Sequence, residues 1–128
     1  MAITIGIRGS ASALVEKEDT AQVVGSGDLL VYATPCMVAL MEGAACESIA
    51  PFLGEGESSV GTRMDVAHTS ATPVGMEVRA ESVVTAVDGR KVTFEILAFD
   101  EVGEIGRATH ERVVIKTDRF LEKTYDKL

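Results

Sequence analysis

Three residues of this chain combine reactive groups with apolar surroundings: Thr34, Glu42 and His68. A hydroxyl, a carboxylate and an imidazole can together activate water or a nucleophile for acyl transfer. Glu42 stands out most. If its segment is helical, its neighbours at three and four positions' distance are Val38, Ala39, Ala45 and Cys46, none of them charged. A carboxylate ringed in this way is either partnered from another element or has a raised pKa. It is either a structural Glu, bonded to a backbone amide or a second protomer, or a working acid or base; periodicity leaves both open. The helix start at Thr34–Cys36 adds free amides and a positive dipole end, which can polarise a carbonyl and stabilise an oxyanion.

The element that must carry Thr34 and Glu42 is the stretch from Tyr32 to Pro51. Apolar or small residues follow one another nearly all round it, from Met37 through Leu40 and Ala44 to Ile49. That pattern belongs to a largely buried helix. Thr34 is a suitable N-cap and Pro35 falls at the first helical position. Pro51 and Gly54 end the helix. Before it, residues 3–15 read as a strand with Ile3, Ile5 and Ile7 alternating, weakened by Gly6 and Gly9. Residues 16–29 read as a loop with G-S-G-D as its turn.

After the helix the period changes to two. Val60, Thr62, Met64, Val66 and His68 share a buried strand face, and Gly61, Arg63 and Asp65 share the other. His68 then points inward near the strand end, where a His taken alone is more often a core or hydrogen-bonding residue than a catalyst. Residues 76–87 and 91–99 read as two strands around an Asp88-Gly89 hairpin turn. The first has Met76, Val78, Ala80, Val84 and Ala86 in phase. The second has Val92, Phe94, Ile96 and Ala98 in phase. Residues 105–116 form a last strand, in which His110 reads as structural support, and residues 118–128 form a charged tail with one or two helical turns. Strand, helix, then four strands joined by tight turns argue for an α+β domain, residues 1–128, with a five-stranded antiparallel sheet wrapped on one helix. Such a sheet leaves an edge and a face to cover, which points to a homodimer.

Composition narrows the function classes. Twelve Lys and Arg against 20 Asp and Glu give a net charge of −8, which argues against nucleic acid. No apolar run reaches the length of a membrane span, and no secretory leader is recognised at the start. Cys36 and Cys46 lie ten residues apart on the same helix, about 15 Å, too far for a disulfide. The expected compartment is the reducing cytoplasm. No metal-ligand spacing or nucleotide fingerprint occurs, so neither metal nor organic cofactor is expected. Cys36, at the helix start, is a rival nucleophile, because helix amides lower a thiol's pKa; Cys46 reads as core filler.

Three segments carry a resemblance: ATPCMVALMEGAACESIAPFL, GEGESSVGTRMDVAHTSATPVG and EIGRATHERVVI. Over residues 31–115 the chain resembles the hot-dog-fold thioesterases, in the branch typified by fluoroacetyl-coenzyme A thioesterase. The resemblance implies an antiparallel sheet round a central helix and acyl-CoA hydrolysis at a dimer interface. It assigns catalytic roles to Thr34, Glu42 and His68, and it places Gly61 near the thioester. Pro35 and Cys36 stand where the family pattern has a Gly and an aromatic residue, which reshapes the mouth of the substrate pocket. The segment EDTAQVVGSGDLLVY is shorter than the family's aromatic-rich lid and has no Phe, so a general short-chain acyl-CoA is the implied substrate. Arg63 and Arg90 read as solvated, with coenzyme A phosphates as the other possibility. A second reading of the same residues is a non-catalytic hot-dog module that binds an acyl thioester or acts as an interaction subunit. Whether dimers pair into tetramers stays open.

Overall fold

The computed structural model describes residues 2–128. Five strands form one antiparallel sheet: β1 (Arg8–Leu14), β2 (Glu57–His68), β3 (Glu77–Asp88), β4 (Lys91–Phe99) and β5 (Glu104–Lys116). Their order across the sheet is β1-β3-β4-β5-β2. The consecutive strands β2 and β3 are therefore not neighbours. Only β3, β4 and β5 form a meander, and β2 returns to the far edge against β5. The helices are α1 (Ala21–Val24), α2 (Thr34–Ile49) and α3 (Thr117–Tyr125).

Helix α2 lies across the inner face of the sheet, over β1, β3 and β4. Met37, Met41, Ala44, Ala45 and Ile49 turn from the helix onto Val78, Ala80, Val84, Val92, Phe94, Ile96 and Ala98, and all of these are buried. The alternation expected in β4 is present, with Val92, Phe94, Ile96 and Ala98 inward. Close helix-to-sheet packing needs a glycine at Gly106: a Cβ there would lie 2.7 Å from Met37 Cε and 2.8 Å from the Ala67 carbonyl.

Four local expectations fail for identifiable reasons. The N-terminal strand starts only at Arg8, because a turn with Gly6 at φ 98° interrupts the isoleucine alternation and leaves Ile5 exposed. Residues 17–24 are not loop but a 3-10 turn and the short helix α1, which Gly25 closes at φ 89°. In β3 a bulge at Thr85 turns Val87 rather than Ala86 inward, opposite Val92. In β2 a bulge at Thr62 shifts the register between Gly61 and Arg63. Thr62 is the extra residue, so Gly61 shares the helix-facing side with Met64, Val66 and His68 rather than opposing them.

Candidate active site

Thr34 is the first residue of α2, and Ala33 is the N-cap; no side chain caps this helix. The Thr34 hydroxyl is instead spent on His68: Thr34 Oγ1 lies 2.7 Å from His68 Nδ1. The segment after His68 explains how the two meet. The Thr69 and Ser70 amides donate to the Ile105 carbonyl, and the Tyr32 amide donates to the Thr72 carbonyl at 2.9 Å. Thr72 is fully buried, and its hydroxyl donates to Asp100 Oδ2 at 2.8 Å. Burial works to raise the Asp100 pKa, but the Thr72 hydroxyl and the Val102 and Gly103 amides outweigh it and hold the carboxyl below its usual range. The H-T-S-A-T-P run is thus a clasp tying the end of β2 to the start of α2.

Burial of the His68 ring pushes its pKa below 6.5, with the Ser70 backbone opposing. Its Nε2 is buried and has no hydrogen-bond partner among the described residues. Tyr32 meets the ring edge-on at 6.4 Å. Thr34 and His68 line a cleft of about 260 Å³, together with Ala21 of α1, Tyr32 and Ser70. A larger concavity, about 570 Å³, lies between Arg8, Glu95 and Arg107 and includes neither Thr34, His68 nor Glu42.

The free amides expected at Thr34–Cys36 reduce to one. Pro35 has no N–H and the Cys36 amide donates to the Ala33 carbonyl at 3.0 Å, which leaves the Thr34 amide. Cys36 and Cys46 are free and half-buried. Burial and the nearby Asp19 carboxylate push the Cys36 thiol up, away from a nucleophile's range. Pro35 is exposed at the helix start.

Glu42 is held from another element. Its Oε2 accepts from Arg112 Nη1 at 3.0 Å, and the side chain is 40% exposed while Arg112 is 8% exposed. Arg112 is locked in turn. Its Nε donates to Ser59 Oγ at 2.9 Å and its Nη2 to the Ser59 carbonyl at 3.1 Å. His110 is 1% exposed, stacks on Phe94 and has Nδ1 2.7 Å from the Arg63 carbonyl. That carbonyl can only accept, so Nδ1 carries the proton. Nε2 then accepts from Arg112 Nη1 at 3.2 Å, because guanidinium can only donate. Burial, and then the Arg112 cation, push the His110 pKa down against the opposing Arg63 carbonyl and Glu42 and Glu111 carboxylates. His110 is accordingly neutral, and its 3.9 Å approach to Glu42 is not an ion pair.

Gly61 completes this cluster. A Cβ there would lie 2.6 Å from Glu42 Oε2 and 3.3 Å from Arg112 Nη1. The bulge at Thr62 and the absent side chain together let β2 pass beside the carboxylate. Arg112 and Ser59 escaped the sequence reading. The available signal was the phase of β5, in which His110 and Arg112 alternate with Ala108 and Val114 on the buried face; buried polar residues in such a phase demand partners.

Within one chain the two clusters stay apart. Thr34 and Glu42 are eight residues apart on α2, about 12 Å along the helix axis. The structure joins Thr34 to His68 and joins Glu42 to Gly61, but does not bring Glu42 to His68.

Comparison with known proteins identifies the family. The family model for fluoroacetyl-CoA-specific thioesterase matches residues 15–118. The chain is 44% identical over 97 residues to the fluoroacetyl-CoA thioesterase of Streptantibioticus cattleyicolor, covering 76% of this chain and 70% of that one. A solved structure of a fluoroacetyl-CoA thioesterase superposes with a TM-score of 0.93 at 35% identity, covering all of this chain and 99% of the other. A thioesterase-superfamily member from Thermus thermophilus superposes with a TM-score of 0.87 at 29% identity over 100% of both chains. With the five-stranded sheet wrapped on α2, these matches establish a hot-dog fold, and the chain belongs to the fluoroacetyl-CoA-specific thioesterase family.

Proposed function

We propose that this enzyme hydrolyses short-chain acyl-CoA thioesters at a site built from two copies of the chain. The carrying observation is the Thr34–His68 contact: a 2.7 Å hydrogen bond that leaves a buried, unpartnered Nε2 at a cleft. Structural relatives support the substrate class, since one is a fluoroacetyl-CoA thioesterase variant in complex with acetyl-CoA.

The chemistry follows from the two clusters. Hydrolysis forms a bond from a water oxygen to the thioester carbonyl carbon and breaks the carbon–sulfur bond. The departing sulfur ends as a thiol, and the acid is released. Glu42 is the anion that attacks or that draws the proton from water; Arg112 fixes its Oε2 and leaves Oε1 without a partner among the described residues. Thr34 orients the attacking group. His68, neutral because its ring is buried, carries the proton to sulfur. The Thr34 amide and the Gly61 backbone, close to the carboxylate, are the binding groups for the thioester, with Pro35 and Cys36 shaping the mouth.

Because Glu42 is about 12 Å along the helix from Thr34, the complete set needs a second copy: Glu42 of one protomer faces Thr34 and His68 of the other. The surface for it is the unpaired edge of β2 and the open stripe of α2, where Pro35, Val38, Ala39, Gly43 and Cys46 are exposed or half-exposed around Glu42. The segment before α2, which lends Ala21 and Ser26 to the cleft wall, carries the exposed aliphatic residues Val23, Val24, Leu29 and Leu30 and no Phe, which favours a general short acyl group over fluoroacetyl alone. The two free thiols favour the cytoplasm. The deciding experiment is release of free thiol from acetyl-, propionyl- and longer acyl-CoA. Turnover that falls with chain length supports this reading. Tight binding of every acyl-CoA without thiol release would establish a non-catalytic acyl-thioester module.

A further inference from the structure

In a chain with a net charge of −8, four cations line a single cavity. Arg90 of the β3–β4 turn, Lys116 at the end of β5, and Arg119 and Lys123 of α3 line a shallow, open depression of about 360 Å³ together with Val113 and Phe120. One carboxylate answers them: Glu57 lies 3.1 Å from Arg90 and 3.7 Å from Lys116. Arg119 and Lys123 have no ion pair among the described residues. They are four apart on α3, where like charges repel, and their acidic helix neighbours Asp118 and Glu122 do not line the cavity. With Arg90 and Lys116 sharing Glu57, the two unpaired cations Arg119 and Lys123 beside a half-exposed aromatic ring, Phe120, suit a ligand with phosphates and a flat base.

We propose that this cradle holds the 3′-phosphorylated ADP end of coenzyme A, with the phosphates on Arg119 and Lys123 and the adenine against Phe120. The assignment rests on the thioesterase reading above. Reach supports it. Lys116 is four residues beyond Arg112 on β5, about 14 Å, and Arg112 holds Glu42. The pantetheine arm, with two amide links between sulfur and pyrophosphate, extends about as far as four or five residues of chain, ~15 Å. The cradle is thus within one arm's length of the Glu42 cluster on its own protomer. Lys116 lies ten residues from Gly106, the partner of His68 on β5, or about 34 Å away. The nucleotide and Glu42 therefore come from one protomer, and Thr34 and His68 from the other.

The test compares Lys123→Glu with Lys127→Glu, the same charge change four residues further along, past the end of α3 and outside the cavity. Three quantities are measured: KM for acetyl-CoA, KM for acetyl-N-acetylcysteamine, which lacks the nucleotide, and direct binding of adenosine 3′,5′-bisphosphate by calorimetry. The expected result is a rise of roughly tenfold or more in KM for acetyl-CoA with Lys123→Glu, the scale of one lost charged hydrogen bond. Its KM for the truncated thioester changes far less, and its binding of the bisphosphate weakens in parallel. Equal KM values for acetyl-CoA in the two variants would overturn the proposal. Loss of bisphosphate binding with an unmoved KM would overturn the coenzyme A assignment and mark a site for free nucleotide. If no thioester is hydrolysed at all, the thioesterase reading fails, yet selective loss of coenzyme A binding in Lys123→Glu would still uphold the cradle.

Discussion

Replacing Glu42 by Gln separates the catalytic reading of this carboxylate from a structural one, because the structure sets the size of both effects. The substitution keeps the shape of the side chain and leaves an oxygen that can accept from Arg112 Nη1, now 3.0 Å from Glu42 Oε2. What is lost is the charge opposite a guanidinium that is 8% exposed. Breaking a fully buried pair costs about 3–5 kcal/mol. Here Glu42 is 40% exposed, so solvent screens the pair, and Arg112 keeps its bonds to Ser59 and His110. About 1–2 kcal/mol is the expected loss of stability, a minor part of the roughly 5–15 kcal/mol of a natural domain. The catalytic loss is larger: kcat should fall by roughly 10²-fold or more, the scale of a missing general base. The assay is continuous thiol release from the best acyl-CoA, corrected for Cys36 and Cys46, beside urea melts of both proteins. If Glu42→Gln turns over at near the native rate, the carboxylate is only structural and its catalytic role is refuted. His68→Ala should lose rate as well, and if the two residues act as a unit, the double variant will be little worse than either single one.

Three further outcomes follow from the same geometry. Gly61→Ala places a Cβ 2.6 Å from Glu42 Oε2. Its kcat should fall at least about tenfold, as expected for a misplaced reacting group, while the melting temperature moves little; an unchanged kcat would show that Glu42 has room to yield. Arg112→Gln strips the clamp and orphans a buried acceptor on His110, so both kcat and stability should drop, the latter by about 2–3 kcal/mol, read by thiol release and urea midpoints. Burial lowers the pKa of His68 and of His110. Above 6.5 both rings are neutral in the folded and the unfolded chain. Below 6.5 the unfolded rings take protons that the folded ones resist, so stability is lost as pH falls from 6.5 through the folded pKa values. The rate should likewise be flat above 6.5 and fall only below it; an acid limb centred above 6.5 in kcat/KM would contradict a buried, neutral His68.

Much of the fold was legible because its signals are local. The all-round apolar run of α2, the strict alternation in β4 and the Asp88-Gly89 turn each depend on a few adjacent residues, and all three are present. What stayed hidden depends on distant partners. The bulges at Thr62 and Thr85 have no sequence mark, since one extra residue in a strand costs only a local register shift, yet they decide which face Gly61 and Ala86 take. Thr34 reads as a cap because its best-known use is local; the competing partner, His68, lies 34 residues away. The Arg112 clamp required knowing that β5 pairs with β2, which puts Arg112 opposite Gly61. Thr34 and Glu42 lie about 12 Å apart along α2, too far for one chain's pocket to hold both, which agrees with the interfacial site that the resemblance implies.

The central claim is that Glu42 of one protomer serves Thr34 and His68 of another, and subunit complementation tests it most directly. Glu42→Gln and His68→Ala chains carrying different tags are co-expressed, and the mixed species are purified and assayed for thiol release beside each parent. In a mixed dimer with shared sites, one site collects both defects and the other is intact. A statistical mixture should therefore recover about a quarter of native turnover, and purified mixed dimers about half. If the mixed dimers are no more active than the parents, each site is complete within one chain, and the two-copy account is wrong.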